Sequence, residues 1–356
     1  MFKGGNPLVE RMINAAHSLK NEVLDNEWTV LSQIERSPDD TGGHFSVGYI
    51  VRDENGREAF LKALDYSKAF SSPDPARVLQ NMTSAFNFER DILKICGEKN
   101  LDRVVKAIDN GTHKIESAAY PVDYIVFELA DGDIRDYLRM SEAFDLAMIL
   151  RTLHNTAVGL KQLHSEGIAH QDLKPSNVLI FNVLHVAKIA DVGRATKRGR
   201  NAPHEDVEVP GALAYAPPEL LYGYIDPDWN KRRLGCDLYL LGSLVFFLFT
   251  NVSMTAAILS KLHPMHRHNN WTDTYEHVLP YIRDAFNSTI EELEQCLPIS
   301  IRMEISQITR QLCEPKPEKR GHPKEKIGTA NRYSLQRYIS RFDVLASKAE
   351  ARLLGD

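Results

Sequence analysis

One stretch of this chain gathers an acid, a cation and an amide in close order: His170-Gln171-Asp172-Leu173-Lys174-Pro175-Ser176-Asn177, with Asp191-Val192-Gly193 beginning fourteen residues after Asn177. Those side-chain types at that spacing suit the transfer of a phosphoryl group to a hydroxyl. Such chemistry leaves a protein little covalent work. The site must hold Mg²⁺ and a triphosphate and must offer one carboxylate to the attacking hydroxyl. Asp172 can be that carboxylate, Lys174 can neutralise charge on the moving group, and Asn177 and Asp191 can give oxygens to the metal. A polar turn after a helix, followed by a β-hairpin, accounts for one Asp and one Asn but not for the whole pattern.

The elements that must position these residues are legible on both sides. Residues 6–26 place Val9, Met12, Ile13, Ala16, Leu19 and Val23 at helical spacing, which predicts an N-terminal amphipathic helix. From Trp28 to Leu64 the pattern becomes that of strands, with a hairpin at Arg52-Asp53-Glu54-Asn55-Gly56-Arg57. Asp74-Pro75 opens a helix, the Asp as N-cap and the Pro at the first helical position. Its apolar stripe, Val78, Leu79, Met82, Ala85, Phe86, Ile92, Leu93 and Cys96, encloses Glu89. A carboxylate on a buried face needs a cation, and Lys62 on the preceding strand is the candidate. Strands around Val104–Ile108 and Tyr124–Phe127 complete a small sheet, and a helical region begins near Asp133. The greasy run Leu238–Phe249 is a helix opened by Asp237. Residues Leu335, Tyr338, Ile339, Phe342, Leu345 and Ala349 make a final amphipathic helix. Between these, His263, His266 and His268, with His277 nearby, fit either a metal site or a polar docking surface. No cysteine or acidic ligand accompanies them at a structural-zinc spacing, which favours the docking surface.

Composition agrees with a soluble enzyme of 356 residues, 43% hydrophobic and 26% charged. A net charge of −5 argues against nucleic acid as the main partner. Four scattered cysteines without CxxC spacing suggest a reducing compartment. The run Leu238–Phe249 falls short of the roughly 20 residues a membrane-crossing helix needs, and no signal peptide is visible. The expectation is a cytoplasmic protein with no membrane partner.

At His170–Asn177 and Asp191–Gly193 the chain resembles the protein kinases, in particular the eukaryotic-like serine/threonine kinases also found in bacteria. The resemblance runs from about Trp28 to Arg320. It implies an α+β, two-lobed fold: a small β-sheet lobe with one key helix, and a larger, mainly helical lobe. The corresponding boundaries are an N-terminal helix at 1–27, the small lobe at 28–130, the large lobe at 131–325 and a C-terminal helix at 326–356. By the same resemblance, Lys62, held by Glu89, contacts the α- and β-phosphates of ATP. Tyr124–Ala130 is the hinge strand with Phe127 as gatekeeper. Backbone groups of Glu128 and Ala130 bond adenine, Asp133 reaches the ribose, and Leu179 is the adenine floor. The loop Thr41–Tyr49 covers the phosphates through its amides, Gly43 and Ser46 among them. Lys174, two after the Asp, is the serine/threonine form.

Several positions depart from the family's pattern. Gln171 and Val192 replace Arg and Phe, and Thr41 and Ser46 stand where glycines are usual. Phe60 and Gly48 replace a small Ala and a Val in the adenine roof, an exchange that roughly conserves volume. Ala212, in Gly211-Ala212-Leu213-Ala214-Tyr215-Ala216-Pro217-Pro218-Glu219, replaces the threonine that hydrogen-bonds the catalytic Asp and Lys. Glu219 should pair with Arg320, and Asp237 should brace the catalytic loop. Uncharged Gln171 cannot pair with a phosphate, so activity is expected without phosphorylation of Thr196 or Tyr215. The reading is an ATP- and Mg²⁺-dependent kinase acting on Ser/Thr of a protein substrate. A nucleotide-binding scaffold and, behind it, a small-molecule kinase are the alternatives; the oligomeric state is open.

Overall fold

A computed structural model describes residues 14–25, 27–35, 45–70, 72–116, 118, 120–140, 145–181, 186–326 and 332–354. They fall into two compact units. One holds the described residues up to Glu98 with Lys106–Ala130, the other Lys99–Val105 with those from Asp131 onward.

The first unit is built on an antiparallel sheet of β1 (Thr29–Gln33), β2 (Ser46–Arg52), β3 (Glu58–Leu64), β4 (Ala107–His113) and β5 (Val122–Glu128), in the order β1-β2-β3-β5-β4. Asp53 accepts from the amides of Asn55 and Arg57 at 3.0 and 2.8 Å and so closes the β2–β3 hairpin. Alternation sorts the side chains: Val47, Tyr49, Val51, Ala59, Leu61 and Ala63 are buried. Gly48 pairs with Lys62 in the ladder, so both belong to the opposite face, with Phe60 two residues along. After the short α1 (Ser67–Phe70), α2 (Pro75–Glu98) starts where expected. The Asp74 carboxylate accepts from the Arg77 amide at 3.2 Å, and Glu89 lies on the buried face beside Phe88.

Two expectations are corrected here. Among residues 14–25, the predicted N-terminal helix is a single 3₁₀ turn, Ala15–His17, followed by turns; residues 6–13 lie outside the described residues. The backbone prefers β1 as its partner. The Asn21 amide donates to Val30 O and the Val30 amide to Glu22 O, both at 2.9 Å. Ala15, Ala16, Leu19 and Leu24 are then buried against the sheet while Val23 is exposed. The expected strand at 104–108 begins only at Ala107; Val104 forms an isolated parallel bridge to Ile189 in the second unit.

The second unit contains β6 (Gly132–Asp133), α3 (Ile134–Met140), α4 (Leu146–Ser165), β7 (Ile168–Ala169), β8 (Val178–Phe181), β9 (Val186–Ile189) and β10 (Thr196–Lys197). There follow α5 (Pro218–Leu221), α6 (Gly235–Thr250), α7 (Met254–Lys261), α8 (Tyr275–Cys296), α9 (Ile299–Leu312) and α10 (Gln336–Glu350). α6 is its core and is buried nearly all round. A π-turn, Asn230–Leu234, leads into it, so Asp237 does not open the helix. The joined helix Asn230–Thr250 is long and apolar enough to cross a membrane, but 83% of its most apolar window is buried inside the protein. α10 packs on α4 with Tyr338, Ile339, Phe342 and Leu345 inward. Arg151 of α4 clamps it by hydrogen bonds to Asp343 and Glu350 at 2.7 and 2.8 Å.

Candidate active site

β7 delivers the chain to His170 beneath α6. There the fully buried Asp237 carboxylate accepts from the His170 amide at 2.8 Å, the Gln171 amide at 2.8 Å, Gln171 Nε2 at 3.1 Å and His164 Nε2 at 2.8 Å. Burial pushes its acidity toward the neutral form, but the His164 hydrogen bond and charge, with the Gln171 amide, hold it below the usual carboxylate range. Gln171 turns the chain in the left-handed region at φ 67°. That turn presents Asp172.

The Asp172 carboxylate is engaged at both oxygens. Oδ2 accepts from Lys174 Nζ at 2.9 Å and Asn177 Nδ2 at 3.3 Å, while Oδ1 accepts from the Ala212 amide at 2.9 Å. Asn177 Nδ2 also reaches Asp172 O at 2.8 Å. The missing threonine hydroxyl therefore has a replacement in the main chain. Gly211 allows that approach, because a Cβ there would run into Gln171 O and come within 2.7 Å of Asp172 Oδ1.

The β8–β9 hairpin brings Asn177 and Asp191 together. Val178 pairs with Ile189, and the Ala190 amide donates to Asn177 O at 2.9 Å. Asp191 follows in the left-handed region at φ 60°. An amide oxygen and a carboxylate are hard donors of the kind Mg²⁺ takes, so the residues present fit that ion. Leu179 stands opposite Asp133 across β8 and β6. Asp133, the expected ribose contact, precedes α3. Its carboxylate is held by Arg135 Nη2 at 2.7 Å and Nε at 3.2 Å, and it accepts the Arg135 amide at 2.7 Å at the start of α3. The Asp thus closes a local turn. The histidines of 263–277 form no metal cluster among the described residues. His266 stacks on Tyr281 at 3.7 Å between ring centroids, and His277 pairs with Asp273 at 2.8 Å.

In the first unit, Lys62 Nζ meets both oxygens of Glu89, at 2.8 and 3.1 Å. The pair inferred from a carboxylate inside an apolar stripe is formed. On the same sheet face the Phe60 ring fills the space beside Gly48, where a Cβ would lie 2.9 Å from Phe60 Cε2. The ring also leans on Phe127 at 6.2 Å. The Glu128 amide donates to Lys106 O at 3.1 Å, and its side chain accepts from the Lys106 amide at 2.7 Å. Ser46 opens β2 and Ala130 is half-buried past the end of β5. Gly43, with Thr41 and Gly42, lies outside the described residues.

Below the catalytic stretch, Arg320 and Glu219 form a bidentate pair at 2.6 and 2.8 Å across 101 residues, both buried. Removing one partner of such a pair typically costs about 3–5 kcal/mol. Residues 41–329 match the family model described as the protein kinase domain, most of the chain. The chain belongs to the protein kinase family. An Aurora kinase of Debaryomyces hansenii is 25% identical over 44% of this chain and 38% of its own length. The serine/threonine-protein kinase PknB of Mycobacterium tuberculosis is 30% identical over 39% of this chain and 22% of its own. A human SNF-related serine/threonine-protein kinase is 26% identical over 56% and 24%. The chain spans less than two thirds of the length of each of these relatives.

Within this protein kinase, the sequence reading missed three contributors. His164 lies on α4, 73 residues from Asp237. The Ala212 amide is a group every residue but proline carries. Arg233 joins Gln171 from 62 residues away, with nothing in its local sequence to mark it. Gly211 alone had a local signal, as a glycine beside a residue already singled out.

Proposed function

We propose that this chain is a serine/threonine protein kinase that moves the γ-phosphoryl group of ATP to a hydroxyl of a protein substrate. The observation that carries the reading is the Asp172 carboxylate, held at one oxygen by Lys174 and Asn177 and at the other by the Ala212 amide. As the substrate oxygen bonds to the γ-phosphorus and the bond to ADP breaks, Asp172 takes the hydroxyl proton. Lys174 sits beside that carboxylate to offset charge on the transferring group. Asn177 and Asp191 would hold Mg²⁺, which when bound neutralises phosphate charge. Lys62, fixed by Glu89, would contact the α- and β-phosphates. The resemblance assigns the adenine contacts to backbone groups of Glu128 and Ala130 and to the side chains of Leu179 and Phe60. Lys174 and the serine/threonine kinases among the relatives support the Ser/Thr assignment.

Two finer readings go with this. Activity does not depend on phosphate in the activation segment: Thr196 is fully buried with its hydroxyl unpartnered, out of reach of a modifying enzyme. The protein works in the reducing cytoplasm, in keeping with four free cysteines. The deciding experiment is transfer from labelled ATP with Mg²⁺, wild type against Asp172→Asn, onto the chain itself and a generic basic protein. Label from the wild type alone supports the kinase; no label with either acceptor removes it. A nucleotide-binding scaffold is the second reading, favoured by the Phe60 ring filling space beside Gly48. Nucleotide-dependent thermal stabilisation without transfer would put it first.

A further inference from the structure

Arg233 is a buried cation with no part in the transfer step just described. Its side chain is 1% exposed and leaves the π-turn Asn230–Leu234, a kind of distortion that recurs at functional sites. Nη1 donates to Gln171 Oε1 at 3.2 Å, and Gln171 Nε2 returns a bond to Arg233 O at 2.8 Å. Nη2 donates to Glu205 at its carbonyl, 2.8 Å, and at its carboxylate, 3.2 Å. Arg232 donates to the same Glu205 carbonyl at 2.8 Å. A guanidinium so enclosed holds its charge only against an anion. Gln171 is neutral, so the charge is met by Glu205, whose side chain remains 32% exposed.

Glu205 lies in the segment between Asp191 and Glu219, the kind of kinase segment that a phosphate paired with arginine can order. Gln171 is the residue before Asp172. Arg233 therefore links the segment to the backbone turn that presents Asp172. We propose that Glu205 and Arg233 are positioning residues: the Glu205 carboxylate is a permanent anion that fastens the activation segment to the catalytic loop, in the role phosphate fills elsewhere. The link acts through Gln171, whose uncharged amide bridges Arg233 and Asp237 where an arginine would repel Arg233. The inference rests on the kinase reading for its consequence but not for its geometry.

The test uses the full chain, treated with phosphatase and shown by intact mass to carry no phosphate. Wild type, Glu205→Gln, Glu205→Asp, Arg233→Met and the Glu205→Gln/Arg233→Met double variant are compared. In Glu205→Gln, kcat falls about tenfold or more, as expected for losing a hydrogen bond between charges, with KM for ATP within about twofold. Glu205→Asp recovers part of that loss, and the double variant is no worse than Arg233→Met alone. Amide hydrogen exchange at residues 202–208 rises at least about tenfold in Glu205→Gln, a readout that needs no activity. Unchanged exchange in that variant overturns the proposal, as does wild-type turnover by Glu205→Gln or activity lost from the wild type on phosphatase treatment. A wild type that transfers no phosphate at all, yet shows the exchange difference, sinks the kinase reading and leaves the link standing. Should Arg233→Met fail to fold, the partly exposed and isosteric Glu205→Gln decides alone.

Discussion

The Asp172 carboxylate is gripped by Lys174, Asn177 and the Ala212 amide, and its loop hangs by three hydrogen bonds from Asp237, whereas the Phe60 ring rests beside Gly48 and against Phe127 by shape. The first arrangement is directional. Its donors and acceptors must meet at set angles, and losing a partner strands a buried polar group at about 1–3 kcal/mol. The second arrangement is volumetric, so one position can grow while its neighbour shrinks.

Substitutions at six positions and one titration press on that contrast, from the strongest effect down. Asp172→Asn keeps the shape and removes the proton acceptor, so transfer falls by about 10³-fold. A loss under tenfold in a labelled-ATP assay would place the base elsewhere. Gly211→Ala forces the Ala212 amide off Asp172 Oδ1, and kcat drops about 10²-fold while ATP affinity holds. Equal loss of ATP affinity would show general disruption instead.

On the volumetric side, Gly48→Val and Phe60→Ala each weaken ATP binding about tenfold. The Gly48→Val/Phe60→Ala double variant recovers most of it, because the branched residue then occupies the vacated space. Calorimetric titration reads this, and tighter binding by Phe60→Ala alone would refute the aromatic roof. A smaller effect belongs to His204, in the activation segment. Burial and the charge of Arg194 lower its pKa from the ordinary value, so it is neutral at pH 7. The folded protein then binds fewer protons than the unfolded chain below about pH 6.5. That contribution is complete above the unfolded value and is lost as pH falls through the folded one. Melting temperature should decline from pH 7 to 5.5, and His204→Gln should flatten the slope. A slope unchanged in the variant would assign it to other groups. Thr196→Ala should leave activity within about twofold, since the hydroxyl makes no bond to lose; a collapse in rate would end the phosphorylation-independent reading.

How much of the site was legible follows the same division. Asp172, Lys174 and Asn177 lie within six residues, so their mutual bonds are set by one short turn. Glu89 announced its need for Lys62 through helical periodicity. Residues 14–25 misled, because their apolar spacing also suits a segment laid on a sheet, and pairing with β1 outweighed helix formation. At Asp133 a local partner, Arg135, two residues along, went unread in the sequence.

The sequence by itself marked the candidate catalytic side chains and the strand and helix that carry Lys62 and Glu89, through local spacing and a buried charge that demands its opposite. The pairing of Glu219 with Arg320 came from the resemblance to the protein kinases, and the two residues meet in the fold. Only the tertiary structure decided that the Ala212 amide stands in for a hydroxyl, that His164 shares Asp237, and that Arg233 joins Glu205 to Gln171. Those partners lie between 28 and 73 residues apart, and some are backbone groups common to every residue. Their identity comes from how the chain packs around α6, where a buried polar group takes the nearest partner in space.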